Sequence, residues 1–309
     1  MESRAIGRLT VSAVGLGCNN FGWHLDEDAS RAVVHAALDA GVTHFDTADV
    51  YGEGESESFL GRALGARRAD VVVATKFGNR DGAHPDTVAR AAEASLSRLG
   101  TDVIDLYYLH KPDPSVPVAD TLGALDRLVE AGKVREVACS NLTADGLREA
   151  DEAATGARFV ALQSEYSLLH REPETDGVLD ACRALGLAFV PYFPLKSGLL
   201  SGKYRKGATA PAGSRLAGDT PGSAFSGMGG RLLTPENLDA VERLSEWAEA
   251  RGGTVLDLAF AYLLARPAVA SVIAGATRPE QVEANVAAAG FALSEADVDA
   301  LDALLAHPA

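Results

Sequence analysis

The chain has 309 residues, 47% of them hydrophobic and 23% charged, the composition of a soluble globular protein with a sizeable core. Its formal net charge of −15, with no long basic run to offset it, disfavours nucleic acid or an anionic membrane as the main partner; Lys, Arg and backbone N–H groups that converge locally can still bind phosphate. The three cysteines, Cys18, Cys139 and Cys182, form no CxxC pair, so neither a zinc site nor a disulfide framework is expected.

Residues 1–12 read as a small hairpin turning near Gly7, placed to cap one end of the fold. The opening MESRAIGRLTVSAVG lacks the apolar core of a signal peptide, and no apolar run is long enough to span a membrane; a cytoplasmic location is the expectation. Short runs rich in Val, Ile, Phe and Tyr then recur at 12–17, 42–45, 71–75, 103–110, 134–140, 159–163, 187–193 and 271–275, predicting eight strands. Between them lie segments of helical period, from DASRAVVHAALDAG to RPEQVEANVAAA. Asp28 and Thr143 stand where N-cap residues belong, and Gly41, Gly100, Gly132 and Gly186 stand as C-terminal stops. Continuous rather than alternating hydrophobicity fits a parallel sheet buried on both faces. The pattern predicts a (β/α)8 TIM barrel over residues 1–309 as one domain, with the hairpin cap and long loops at the C-terminal face. Residues 196–233 are too long and too rich in Gly, Ser and Pro for a plain connection, and are expected to form a partly mobile flap over that face.

In such a barrel all strand C-termini gather on one face, where active sites form. The polar residues at those ends are Asp46 with Tyr51 in the following turn, Lys76, His110, Ser140 with Asn141, Gln163 and Tyr192. Each alone is an ordinary surface residue; four titratable groups on three successive strand ends point to a site. Tyrosine, with a reference pKa of about 10, needs a neighbour to act in proton transfer, and an ammonium at Lys76 is expected to lower that pKa. Asp46 can hold Lys76, while His110 can orient a carbonyl oxygen beside the Tyr51 hydroxyl. This suits protonation of an oxygen that becomes an alkoxide, as in carbonyl reduction by hydride. The hydride must come from a nicotinamide or flavin cofactor.

No GxGxxG follows the first strand, and GLGCNNFG at 15–22 has the wrong spacing for a Rossmann turn. Instead, Ser140, Asn141 and Gln163 are suited to a carboxamide and the Tyr192 ring to stacking on nicotinamide. The strand-turn-helix AGATRPEQVEAN at 274–285, with Arg278, is suited to phosphate, and Lys203 and Arg215 can reach across a pyrophosphate.

GLGCNNFG, GVTHFDTADVYGEGESESFLGRAL, VVVATKFG, DVIDLYYLHKPD, ACSNL, QSEY, PYFPLKSGLLSGKY and SVIAGATRPEQVEANV together resemble the aldo-keto reductase superfamily over essentially the whole chain. The resemblance implies a barrel binding NADP(H) in extended form, with NAD(H) the lesser choice. It makes Asp46, Tyr51, Lys76 and His110 the catalytic tetrad, with Tyr51 the general acid. Ser140, Asn141 and Gln163 match the carboxamide contacts, and Tyr192 the stacking ring. Cys18, Asn19 and Phe193 fall beside these in the cofactor groove. Pro194, Leu195, Lys196 and Ser197, with Lys203 and Arg215, match the pyrophosphate segment. Gly275, Thr277, Arg278, Gln281 and Asn285 match the pocket for the 2′-phosphate and adenine. Some branches carry Lys at the Gly275 position and Arg at the Gln281 position; this chain is similar instead to the bacterial and potassium-channel-β-subunit-like branches, leaving Arg278 as the local cation.

The expected reaction is NADPH-dependent reduction of an aldehyde or ketone, sugar and secondary-metabolite carbonyls included. The alternative is an NADP(H)-holding redox-sensing subunit, against which the complete tetrad argues. A metal-dependent hydrolase is disfavoured by the single His at the strand ends, and no metal is expected. Specificity is expected to lie in the loops at 19–24, 78–85, 111–116 and 196–233, where Phe21, Trp23 and Phe77, with Tyr51, His110 and SAFSGMGG of the flap, are expected to form an apolar, adjustable substrate mouth.

Overall fold

Strands β1 (Ser3–Ile6) and β2 (Leu9–Ser12) pair antiparallel. In their turn Gly7 has φ +56°, and a Cβ there would stand 3.0 Å from Glu136 and Val160, so the tip is pressed against the floor of the main sheet. The computed structural model describes residues 1–211, 214–217 and 227–306. Its main sheet is eight parallel strands in the order β10-β3-β4-β5-β6-β7-β8-β9. They are β3 (Val14–Gly17), β4 (His44–Asp46), β5 (Val72–Phe77), β6 (Ile104–Leu109), β7 (Val134–Ser140), β8 (Ala161–Glu165), β9 (Ala188–Tyr192) and β10 (Val272–Gly275). The ends meet where Phe189 N–H donates to Ala268 O at 2.6 Å and Ala270 N–H to Phe189 O at 2.9 Å, giving a nearly closed TIM barrel. All eight strands fall on the predicted runs.

The helices described are α1 (Glu27–Asp39), α2 (Glu55–Leu64), α3 (Pro85–Leu99), α4 (Val118–Glu130), α5 (Ala144–Ala153), α6 (Glu172–Thr175), α7 (Val178–Leu185), α8 (Met228–Leu232), α9 (Pro235–Glu249), α10 (Val255–Leu264), α11 (Pro279–Ala288) and α12 (Glu295–Ala306). Thr143 caps α5 by accepting from Gly146 N–H, as expected. For α1 the cap is Asp26 rather than Asp28: Asp26 is extended (φ −70°, ψ −179°) and accepts from Ala29 N–H, while Asp28 already lies in the first turn. Among the described residues no helix is long and apolar enough to cross a membrane. Of the predicted flap, Lys196–Ser201 forms a short turn of 3-10 type and α8 follows later. Residues 212–213 and 218–226, including the first part of SAFSGMGG, lie outside the described residues, and the expected mobility with them.

Strand alternation divides the core in two. Val72, Ala74, Leu106, Tyr108, Ala138, Ala161 and Val190 face the barrel axis, where Ile6, Leu9 and Val11 of the hairpin plug the floor. Val73, Phe77, Tyr107, Val137, Leu162 and Phe189 face outward to the helices. Any residue two places beyond an axis-facing one therefore rises toward the mouth.

Candidate active site

That alternation carries three predicted residues to one place, and the turn after β4 brings the fourth. Asp46 ends β4, Lys76 follows Ala74 on β5, His110 follows Tyr108 just past β6, and Tyr51 opens the turn Tyr51–Gly54 after β4. The Lys76 ammonium, fully buried, donates to Asp46 Oδ2 at 2.6 Å and to Thr47 O at 2.7 Å. Gln163 Nε2 donates to Asp46 Oδ1 at 2.9 Å, so both carboxylate oxygens are engaged. Burial alone would push the Lys76 pKa down; Asp46, then Tyr51, reverse this and leave it above its ordinary value, so Lys76 is cationic at neutral pH.

Lys76 Nζ lies 5.3 Å from the centre of the Tyr51 ring. Burial raises the Tyr51 pKa; Lys76 lowers it as expected but offsets only part of that rise, so the net direction is upward. The Tyr51 phenol therefore keeps its proton at neutral pH and is poised as a donor. The His110 ring meets Tyr51 edge-on, centroids 5.9 Å apart at 87°. Burial first, then Lys76 and Lys111, push the His110 pKa down to about 3, so the ring is neutral. Asn79 Nδ2 stands 3.5 Å from His110 Nδ1; an amide donor on that side leaves the proton on Nε2.

These residues open into a cavity of about 850 Å³. Asp46, Tyr51, His110, Ser140, Asn141, Gln163 and Tyr192 line its catalytic end. Asn141, with φ +64°, donates from Nδ2 to His110 O and to Ser140 Oγ, both at 3.0 Å, and its Oδ1 accepts from Tyr192 OH at 2.9 Å. Phe193, Pro194, Leu195, Ser197, Lys203 and Arg215 form one wall. Left-handed backbone at Phe193, Lys196 and Ser197 (φ +52°, +43°, +57°) marks this segment, and such conformations, at ~1–3 kcal/mol each, cluster at ligand clamps. Asn19, Gly275, Thr277, Arg278, Gln281 and Asn285 form the far end. A Cβ on Gly275 would stand 3.2 Å from Asn19 Oδ1 and 3.3 Å from Asn20 Nδ2, so glycine keeps this end of the groove open. Gln281 Oε1 accepts from Thr277 N–H at 2.8 Å, and Arg278 leads into α11, which has no side-chain cap.

Five predicted residues lie elsewhere. Phe21 and Phe77 are fully buried in the outer core, Phe77 against Tyr107 with centroids 4.8 Å apart. One step along β5 from Lys76 points a side chain outward, so neither phenylalanine forms a substrate mouth. Trp23 is 38% exposed and stacks on His24 with centroids 3.5 Å apart; His24, not Trp23, lines the cavity. Cys18 is fully buried with its thiol toward Leu16 O, clear of the cavity wall. Lys196 turns away to pair with Glu165. Asn20, inside the 19–24 loop but not singled out by its residue type, is buried, donates from Nδ2 to Ala276 O at 3.0 Å, and accepts from Arg215 at Oδ1. Its signal in the sequence is the doublet Asn19-Asn20. His24 and Lys111, which lie in two of the loops expected to set specificity (19–24 and 111–116), also line the cavity.

Residues 13–306 match the Aldo/keto reductase family. Curated relatives include an Oryza sativa protein named "Probable voltage-gated potassium channel subunit beta", 34% identical over 93% of this chain and 91% of that one. Another, of Schizosaccharomyces pombe, is aldo-keto reductase yakc, named with NADP(+), 34% identical over 96% of this chain and 89% of that one. Among solved structures, the glycerol dehydrogenase of Gluconobacter oxydans superposes with a TM-score of 0.83 at 28% identity, over 99% of this chain and 95% of that one. A barrel with Asp46, Tyr51, Lys76 and His110 at its mouth, matched along nearly its whole length, belongs to the aldo/keto reductase family, and the family match with its reductase-named relative supports an oxidoreductase.

Proposed function

We propose that this chain, acting as one barrel domain over residues 1–309, reduces an aldehyde or ketone to the alcohol with NADPH as hydride donor. The observation that carries this reading is a protonated Tyr51 beside cationic Lys76 and neutral His110 at one barrel mouth. Bound NADPH supplies the hydride that no side chain can. The chain's own groups do the rest. His110 Nε2–H orients the carbonyl oxygen, Tyr51 donates its proton to that oxygen as it becomes an alkoxide, and Lys76 stabilises the tyrosinate left behind. Asp46 holds Lys76, and Gln163 holds Asp46.

The groove fits the cofactor. With Gln163 Nε2 given to Asp46 and Asn141 Nδ2 given to His110, the acceptors left for a carboxamide NH₂ are Gln163 Oε1 and the second lone pair of Asn141 Oδ1, whose first takes Tyr192 OH. Tyr192 provides a ring face for the nicotinamide. Lys203 and Arg215 take the pyrophosphate, and Arg278 the 2′-phosphate, which favours NADPH over NADH; the S. pombe relative named with NADP(+) supports that choice. The relative named as a channel subunit favours a second reading, an NADP(H)-holding regulatory subunit, and the complete tetrad weighs against it. Among the described residues no group of three or more His, Cys, Asp or Glu side chains is placed to hold a metal.

Tyr51→Phe tests the proposal. Removing the donor is expected to lower kcat/KM for carbonyl reduction by ~10²–10⁴-fold, while NADPH binding measured by fluorescence quenching stays near that of the parent. Undiminished reduction by the variant overturns the assignment.

A further inference from the structure

The charges around the cavity are distributed in a way that cofactor binding alone does not use up. In a chain of net charge −15, four cationic side chains line the cavity, Lys111, Lys203, Arg215 and Arg278, against one carboxylate, Asp46. Asp46 is already matched by Lys76. The cations fall into two groups by topology. Lys203 and Arg215 follow β9, and Arg278 follows β10, and these strands are joined at the barrel seam. Lys111 follows β6, which in the order β10-β3-β4-β5-β6 is four strands from β10 in a ring of eight, so it stands across the mouth. A phosphate held by Arg278 is therefore out of reach of Lys111.

What Lys111 adjoins is the carbonyl end. It is the next residue after His110 and its charge acts on that ring. It is exposed, and among the described residues it forms no ion pair. Nor is the wall here the apolar one expected, since Phe21 and Phe77 turn into the outer core. His24 and Lys111 line the cavity instead. A neutral, apolar carbonyl compound gains nothing from an ammonium in that position, whereas an anionic one gains both attraction into a cleft of its opposite charge and an anchor beside the oxygen-orienting histidine.

Building on the reductase reading above, we propose that the substrate is a short aldehyde or ketone bearing an anionic group, carboxylate or phosphate, and that Lys111 is the residue that selects it. The anion binds at the rim while the carbonyl oxygen lies between Tyr51 and His110.

The test uses matched pairs of aldehydes with NADPH: succinic semialdehyde against butanal for carboxylate, and glycolaldehyde phosphate against glycolaldehyde for phosphate. The parent protein is expected to prefer the charged member of at least one pair in kcat/KM, and which pair responds more tells carboxylate from phosphate. Lys111→Met is expected to cut that preference by about fivefold to tenfold, mostly through a higher KM for the charged member. Raising salt from about 0.02 M to about 0.5 M shrinks the preference in the parent but not in the variant. A readout independent of turnover is calorimetric titration of the NADP⁺-loaded protein with 4-hydroxybutyrate, 2-hydroxyethyl phosphate and neutral 1-butanol. Tighter binding of at least one anion by the parent, lost in Lys111→Met, supports the proposal even where turnover is absent, an outcome that would instead sink the reductase reading. Reduction of both members of each pair without preference, or a preference that survives Lys111→Met, overturns the anionic-substrate proposal and leaves the reductase reading standing.

Discussion

Replacing Asp46 by Asn keeps the shape of the side chain and removes only its charge. Lys76 is then left fully buried, its ammonium facing Thr47 O and a neutral amide in place of a carboxylate 2.6 Å away. Breaking a buried pair from one side costs about 3–5 kcal/mol. With an unfolding entropy of ~2.1 cal/mol/K per residue, 309 residues give about 0.65 kcal/mol/K, so the melting temperature is expected to fall by roughly 5–8 °C. The pH dependence identifies the cause. In the parent the Lys76 pKa is raised on folding, so its contribution is full below its unfolded value of about 10.5 and is lost only as pH rises through the folded one. In Asp46→Asn burial acts without its counterweight and the folded pKa drops below the unfolded one. The penalty is then greatest at low pH and is relieved as pH climbs past the lowered value, by up to about 1.4 kcal/mol per pH unit. Urea unfolding of both proteins at about pH 6.5 and about pH 9.5 measures this. The gap between them should be widest at the lower pH. A variant as stable as the parent, or a gap that ignores pH, refutes the idea that Asp46 is what keeps Lys76 charged.

Three further outcomes follow from the geometry. With the His110 pKa near 3 and that of Tyr51 above 10, kcat/KM for reduction should stay level from about pH 5 to about pH 9 and fall only as Tyr51 loses its proton; a limb near the ordinary histidine value of about 6.5 would show that His110 titrates in the free enzyme. Asn20→Ala removes the acceptor for Arg215 and the bond to Ala276 O, so KM for NADPH should rise about tenfold with kcat held, a uniform-binding loss; a fall in kcat at constant KM would contradict it. Gly61→Ala places a Cβ 2.2 Å from Leu99 O where α2 crosses α3, and should cost ~1–3 kcal/mol in urea unfolding; no loss would mean that the helices separate freely there.

Local pattern carried most of the architecture. Eight continuous apolar runs separated by helical periods admit few arrangements, and parallel strands with crossover helices leave the barrel as the compact solution, so each strand was legible from the chain alone. Asp46, Lys76 and His110 were legible for a related reason: a polar residue closing an apolar strand has no role in the core, and in a barrel all such closings share one face. Boundaries that hang on a single φ/ψ were less legible, as Asp26 in place of Asp28 illustrates.

The chain by itself determined the fold, the acid-lysine-tyrosine-histidine constellation and the cavity-lining residues at 140–141, 163, 192–195, 197, 275, 277, 278, 281 and 285, because those depend on spacing along strands. Only tertiary structure decided which way neighbouring side chains face and what they meet. One residue of offset on β5 separates buried, charged Lys76 at the mouth from Phe77 in the outer core. Folding also brings Gln163 to Asp46 from 117 residues away, Arg215 to Asn20 from 195, and sets burial against Lys76 in the balance that keeps Tyr51 protonated. Desolvation and long-range partners act in three dimensions, and no spacing in one dimension encodes their net sign.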